Sequence, residues 1–177
     1  AYSCKQLNTK GVVFMPIITP NQKVRQTKMF GEDFIDIRLT GDTFDDCSAA
    51  AQKYTRENGM TFIPPFDDLW IIEGQGTIGV EVLEDLPQTD YVFIPIGGGG
   101  LASGLGMYFK SASPHTRLIG LEPEGAPSML EAFKADKPVT LDHIDSFVDG
   151  AAVRRAGDIT FSICREVIDQ IQAVPEG

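Results

Sequence analysis

A chain of 177 residues is long enough for one ordinary domain or for parts of two. Its 42% hydrophobic and 23% charged residues suit a globular, water-soluble protein, and no apolar run reaches the roughly 18 residues that cross a bilayer. A formal charge of −10, from 15 Lys and Arg against 25 Asp and Glu, repels polyanions, so neither nucleic acid nor a membrane is expected as a partner.

The elements alternate along the chain. Ala1 to Leu7 reads as the tail of a helix without a start signal, as in a sequence cut from something longer. Val12-Val13-Phe14-Met15, closed by Pro16, predicts a short buried strand. Pro20 and Asn21 open a helix through Phe30, with Gly31 expected as its left-handed stop. Phe34 to Leu39 alternates as a strand does. Thr43 and Asp46 form a capping pair for the next helix, which Gly59 ends. Thr61-Phe62-Ile63 predicts another strand, stopped by Pro64-Pro65. Trp70 to Leu86 predicts a glycine-interrupted helix, in which Gly74, Gly76 and Thr77 shape a start. Tyr91 to Ile96 is an apolar strand that runs into four glycines, and a helix follows from Leu101 to about Ser111. Arg117 to Leu121 predicts a strand, Pro127 to Phe133 a short helix, and Asp158 to Gln172 a helix with Phe161, Cys164, Ile168 and Ile171 on one stripe. Strand–helix alternation with short loops implies an α/β fold: a mostly parallel sheet covered by helices.

Few residues can carry metal or redox chemistry. Cys4, Cys47 and Cys164 are odd in number and widely spaced, which fits neither a disulfide framework nor a zinc site. Buried free thiols are expected, and with them a reducing compartment, the cytoplasm. His115 and His143 are too few for a histidine-rich metal site, and no metal is expected.

The chemistry concentrates in YVFIPIGGGGLASGLGMYF. A strand ends, glycines turn the chain, and a helix begins. Consecutive glycine N–H groups can point into one concavity, and the new helix adds unpaired N–H groups and the positive end of its dipole. Such a junction is a cradle for phosphate, placed at the carboxyl end of a strand where open α/β sheets bind ligands. Gly97, Gly99 and Ala102 also satisfy the dinucleotide pattern GxGxxG/A, with Glu122 near the end of the next strand as a ribose-binding acid. The residues alone therefore leave a nicotinamide-binding oxidoreductase domain open beside another phosphate ligand, or a tight turn with no ligand.

GGGGLASG resembles the phosphate loop of the fold-type II pyridoxal-phosphate enzymes. The motifs GVVFMPIITPNQKVRQTKMFG, PFDDLWIIEGQGTIGVEVL, GLEPEGAPSM and DGAAVRRAGDITF, in this order, resemble biosynthetic threonine dehydratases essentially end to end. The resemblance implies an incomplete three-layer parallel-sheet fold like the tryptophan synthase β-subunit. Residues 1–63 would be part of a small α/β domain, and 64–177 part of a large cofactor-binding one. It implies pyridoxal 5'-phosphate as cofactor, with backbone N–H bonds to its phosphate from Gly97, Gly98, Gly99, Gly100 and Leu101. Gly150 would lie beside the pyridine ring, and Phe66 and Asp67 would form the crossover between domains near the cleft. The implied reaction converts L-threonine, and serine, to 2-oxobutanoate and ammonia, the first step of isoleucine biosynthesis, in a homo-oligomer that is tetrameric in the family. Serine dehydratases and serine racemases are the related alternative.

The departures from that pattern bear on activity. The Schiff-base lysine of an SFKxRGA-type motif and the SxGNHxQG substrate loop do not occur in these residues, so no catalytic residue is assigned and the chain is expected to be an internal piece, inactive alone. Lys23-Val24-Arg25 imitates the KxR of that motif but lacks its neighbours and reads as an ordinary surface stretch. Glu122 matches one acid of the serine racemase cation site, but Ser128 stands where a second, an aspartate, is needed.

Overall fold

The computed structural model describes residues 1–148 and 150–175, and the chain divides into two compact units, Ala1–Ile63 and Pro64–Gly177. In the first unit, α1 (Tyr2–Gln6) precedes β1 (Gly11–Met15), α2 (Asn21–Gly31), a 3₁₀ turn (Glu32–Phe34), β2 (Ile35–Leu39) and α3 (Phe44–Asn58). The strands β1 and β2 pair in parallel, from Gly11 opposite Ile35 to Met15 opposite Leu39. Helix α3 begins on the expected box: the Thr43 side chain accepts from the Asp46 N–H, and the Asp46 carboxylate accepts from Thr43. It ends at Gly59 in the left-handed region. Tyr54 of α3 packs on Phe14 of β1 with ring centroids 5.5 Å apart, and the Arg38 guanidinium lies 4.1 Å from the Tyr54 ring centre.

Two expectations fail in this unit. Gly31 does not take a left-handed conformation; the positive φ belongs to Glu32, at 48°. Glycine is needed at 31 for space, because a Cβ there would stand 2.3 Å from Ile35 Cγ1. Thr61-Phe62-Ile63 is not a strand, since no neighbouring strand pairs with it among the described residues.

In the second unit, α4 (Leu69–Asp85), β3 (Tyr91–Pro95), α5 (Gly100–Ala112), β4 (Arg117–Pro123), α6 (Ser128–Ala135), α7 (Asp158–Val167) and β5 (Gln170–Val174) follow in order. The sheet runs β3-β4-β5, and both pairings are parallel, as the strand–helix alternation implies. Ile94, Ile96, Leu118, Phe109, Met129 and Cys164 form a buried core between the sheet and its helices. Full burial of a side chain such as Phe109 is worth about 1.5–3 kcal/mol.

Helix α4 is continuous, and its glycines do not shape a start; Asp68 does, accepting from the N–H groups of Trp70 and Ile71. Gly76 lies mid-helix, where α4 meets α5 backbone to backbone: a Cβ on Gly104 would stand 2.3 Å from the Ile72 carbonyl oxygen and 2.6 Å from the Gly76 nitrogen. The last expected helix is also shorter than its apolar stripe. It stops at Val167, Ile168 turns extended, and Gln170–Val174 becomes an edge strand with Ile171 and Ala173 on its covered side. Asp169 fixes the break. Its carboxylate accepts from the Leu118 N–H at 2.7 Å and from Lys110 at 3.0 Å, and these bonds hold its pKa low against its partial burial.

Candidate cofactor site

The ladder between β3 and β4 continues through Ile96, whose N–H donates to the Leu121 carbonyl at 2.8 Å. The chain then turns through Gly97, Gly98 and Gly99 into α5. Gly99 is the N-cap, at φ 94°, a conformation that L side chains rarely adopt. Space is denied there too, because a Cβ would meet Met129 Cε at 2.6 Å and Thr160 at 2.9 Å. Gly98 and Gly100 lie against Phe66, and Gly97 against the backbone of Ala151. Phe66, and Ala151 of the DGAAV motif, are thus both brought to the loop. Gly150 itself is an exposed turn residue with open space where a Cβ would go.

Two carbonyls of the loop, those of Gly98 and Gly99, are tied down. Gly98 O accepts from Thr160 Oγ1 at 2.6 Å and from the Gly157 N–H at 3.3 Å. Gly99 O accepts from the Ser103 N–H at 2.9 Å and faces the Cys164 thiol at 3.8 Å. Ser103, Thr160 and Cys164 are fully buried and joined, with Ser103 Oγ 3.2 Å from Thr160 O and 3.4 Å from Cys164 Sγ. The amides present the opposite picture. Among the described residues, no protein group accepts from the N–H of Gly97, Gly98, Gly99, Gly100 or Leu101. Amide donors left free in a largely buried turn fit an anion with several acceptor oxygens, as a phosphate has.

The other helices of this unit have their first amides bonded by a carboxylate. Asp68 serves α4. Glu122 serves α6, accepting from Met129 at 2.8 Å and Leu130 at 2.7 Å. Asp67, 91 residues before α7, accepts from the N–H groups of Asp158, Ile159 and Thr160 at 3.0–3.1 Å. Helix α5 begins without a side-chain cap.

Glu122 is only 1% exposed, and burial raises its pKa to about 7 against the pull of its two amide bonds. Both oxygens are committed to α6, which leaves neither the ribose-binding acid of the dinucleotide pattern nor a free cation ligand. Ser128 is fully buried, and its hydroxyl has no partner among the described residues. Lys23 lies exposed in the first turn of α2. Cys47 and Cys164 are buried free thiols as expected, whereas Cys4 is only partly covered.

The sequence reading missed the residues behind the loop. Thr160 and Cys164 sit at helical spacing in DITFSIC, and nothing local marks them as partners of glycines about 60 positions earlier. The resemblance puts Asp67 near the cleft, but its bond to α7 joins PFDD to DITF, two motifs that no spacing connects.

The whole chain, residues 1–177, matches the sequence profile of the pyridoxal-phosphate dependent enzymes. The chain belongs to that family. It is 52% identical to the biosynthetic L-threonine dehydratase IlvA of Halalkalibacterium halodurans over 178 residues, covering 100% of this chain and 43% of the relative. The chain therefore spans less than half the length of the curated relatives it matches. Among solved structures, the processed form of threonine deaminase isoform 2 from Solanum lycopersicum superposes with a TM-score of 0.90 at 40% identity, covering 98% of this chain and 50% of that one. Maize serine racemase gives 0.90 at 28% identity, over 99% of this chain and 52% of that one. The expected likeness to biosynthetic threonine dehydratases, and the fold-type II α/β architecture, are borne out.

Proposed function

We propose that this chain is the phosphate-gripping portion of a pyridoxal-phosphate-dependent threonine dehydratase, which converts L-threonine, and also L-serine, to substituted 2-oxo acids and ammonia; from threonine the product is 2-oxobutanoate. One observation carries the reading: among the described residues the N–H groups of Gly97, Gly98, Gly99, Gly100 and Leu101 have no protein acceptor, while the Gly98 and Gly99 carbonyls are bonded behind the loop. These residues would hold the cofactor phosphate through main-chain bonds and the start of α5. Gly150, exposed and without a side chain, would leave room beside the pyridine ring. Phe66 covers Gly98 and excludes water from that side of the loop. When bound, pyridoxal phosphate supplies the electron sink for removing the α-proton and the β-hydroxyl.

Residues 1–63 would belong to the small domain and 64–177 to the large cofactor-binding one, in a cytoplasmic homo-oligomer that makes an isoleucine precursor. No helix among the described residues is long and apolar enough to cross a membrane. No SFKxRGA-type lysine motif occurs in the 177 residues, so the role assigned to them is binding, not turnover.

Titration of pyridoxal phosphate into the chain, followed by absorbance, tests the reading. Saturable binding is expected. Inorganic phosphate should compete, and Gly99→Ala should abolish binding while circular dichroism reports on the fold. Binding of NAD without pyridoxal phosphate would overturn the cofactor assignment. Robust formation of 2-oxobutanoate from threonine by this chain would overturn its restriction to binding.

A further inference from the structure

A trans peptide holds its C=O and N–H antiparallel, so fixing one fixes the aim of the other. No cis peptide occurs among the described residues. The peptide between Gly98 and Gly99 is therefore aimed by whatever holds the Gly98 carbonyl. Two donors hold it, both from the start of α7: Thr160 Oγ1 at 2.6 Å and the Gly157 N–H at 3.3 Å. Thr160 is the nearer, is fully buried, and has its Cβ within 2.9 Å of where a Gly99 side chain would stand.

From this geometry we infer that Thr160 is a positioning residue of the phosphate grip: its hydroxyl holds the Gly98 carbonyl towards α7, and so turns the Gly99 N–H outward to the ligand. The hydroxyl touches no ligand atom and acts through the peptide. Asp67 stands behind it. By accepting from the N–H groups of Asp158, Ile159 and Thr160 at 3.0–3.1 Å, Asp67 fixes the turn that carries the hydroxyl. Only glycine fits beside it at 157, because a Cβ there would stand 2.2 Å from the Asp67 carboxylate oxygen. The chain of control runs from Asp67 through Thr160 and Gly98 to the Gly99 amide. It explains why a buried hydroxyl sits at the third position of a helix whose other buried residues are mainly apolar.

The inference rests on the phosphate reading of the loop, and the experiment separates the two. Pyridoxal phosphate and unphosphorylated pyridoxal are each titrated into the wild-type chain, Thr160→Val and Thr160→Ser. Thr160→Val keeps the shape and loses the hydroxyl. It should weaken pyridoxal phosphate binding about tenfold, or about 1.4 kcal/mol, and leave pyridoxal binding unchanged. Thr160→Ser restores the hydroxyl and should bind pyridoxal phosphate within about threefold of wild type, a difference below about 1 kcal/mol. The ³¹P resonance of the bound phosphate should move in the valine variant and return in the serine one. Equal loss for both ligands in Thr160→Val would show a merely structural role and overturn the inference, as would wild-type affinity in that variant. Absence of pyridoxal phosphate binding by the wild-type chain would instead overturn the reading of the loop itself.

Discussion

Replacing Glu122 by Gln should change how stability depends on pH. Buried at 1% exposure, the carboxyl titrates at about 7 in the folded chain against an ordinary value of 4.5. The cause is loss of hydration, only partly offset by the amides of Met129 and Leu130, with the charge of Glu131 adding a smaller upward push. A carboxyl raised on folding binds more protons folded than unfolded across that window. Its contribution is therefore fully present below the unfolded value and is lost as pH rises through the folded one. At about 1.4 kcal/mol per pH unit, the span amounts to roughly 3 kcal/mol. Urea unfolding of wild type and Glu122→Gln, followed by circular dichroism from about pH 5 to about pH 8, isolates this term, because the other acids cancel in the difference. Wild type should lose roughly 2–3 kcal/mol relative to the variant over that range, somewhat less than the full span because about pH 5 already lies above the unfolded value. Parallel profiles would refute the reasoning, for they would mean that Glu122 is no harder to ionise folded than unfolded.

Two further outcomes follow from the packing. Gly104→Val should lower the melting temperature by roughly 6–12 °C, from about 3 kcal/mol of overpacking, since the opposing atoms are the backbones of Ile72 and Gly76 and cannot rotate away; an unchanged melting curve would show that α4 and α5 separate freely. Cys164, pushed by burial to a pKa of about 11, should resist iodoacetamide in the native chain and react in urea, as mass spectrometry of the peptide would show; native labelling would mean that the loop's backing opens.

What the sequence disclosed was what local chemistry decides. Thr43 and Asp46 cap a helix wherever they fall, and four glycines after an apolar strand force a turn into α5. The parallel pairings follow from alternation. What stayed hidden depends on remote partners. The stripe Phe161, Cys164, Ile168, Ile171 is a sound helical signal, yet Asp169 ends the helix by bonding Leu118, 51 positions away. Beyond it, the period-two run from Gln170 to Val174 takes over. Thr61-Phe62-Ile63 has strand-forming residues and no strand to pair with. At Gly31 the glycine signal concerns not handedness but the side chain of Ile35, which leaves no space for a Cβ. At the site, the glycines were visible and Thr160 was not, because a hydroxyl in a helix reveals nothing of what it will hold.

The carboxylates at the starts of α4, α6 and α7 also bear on competition between solutes. A helix whose first amides already bond an acid of its own chain has nothing left to give an inorganic ion, and its dipole is neutralised at the source. With those neighbours silenced and the chain as a whole repelling anions, a passing sulfate or carboxylate meets one helix start in the second unit, among the described residues, whose amides no acid holds. Discrimination at that address then depends on how many aimed donors a solute can satisfy at once, which favours a three-oxygen dianion over flatter or singly charged rivals.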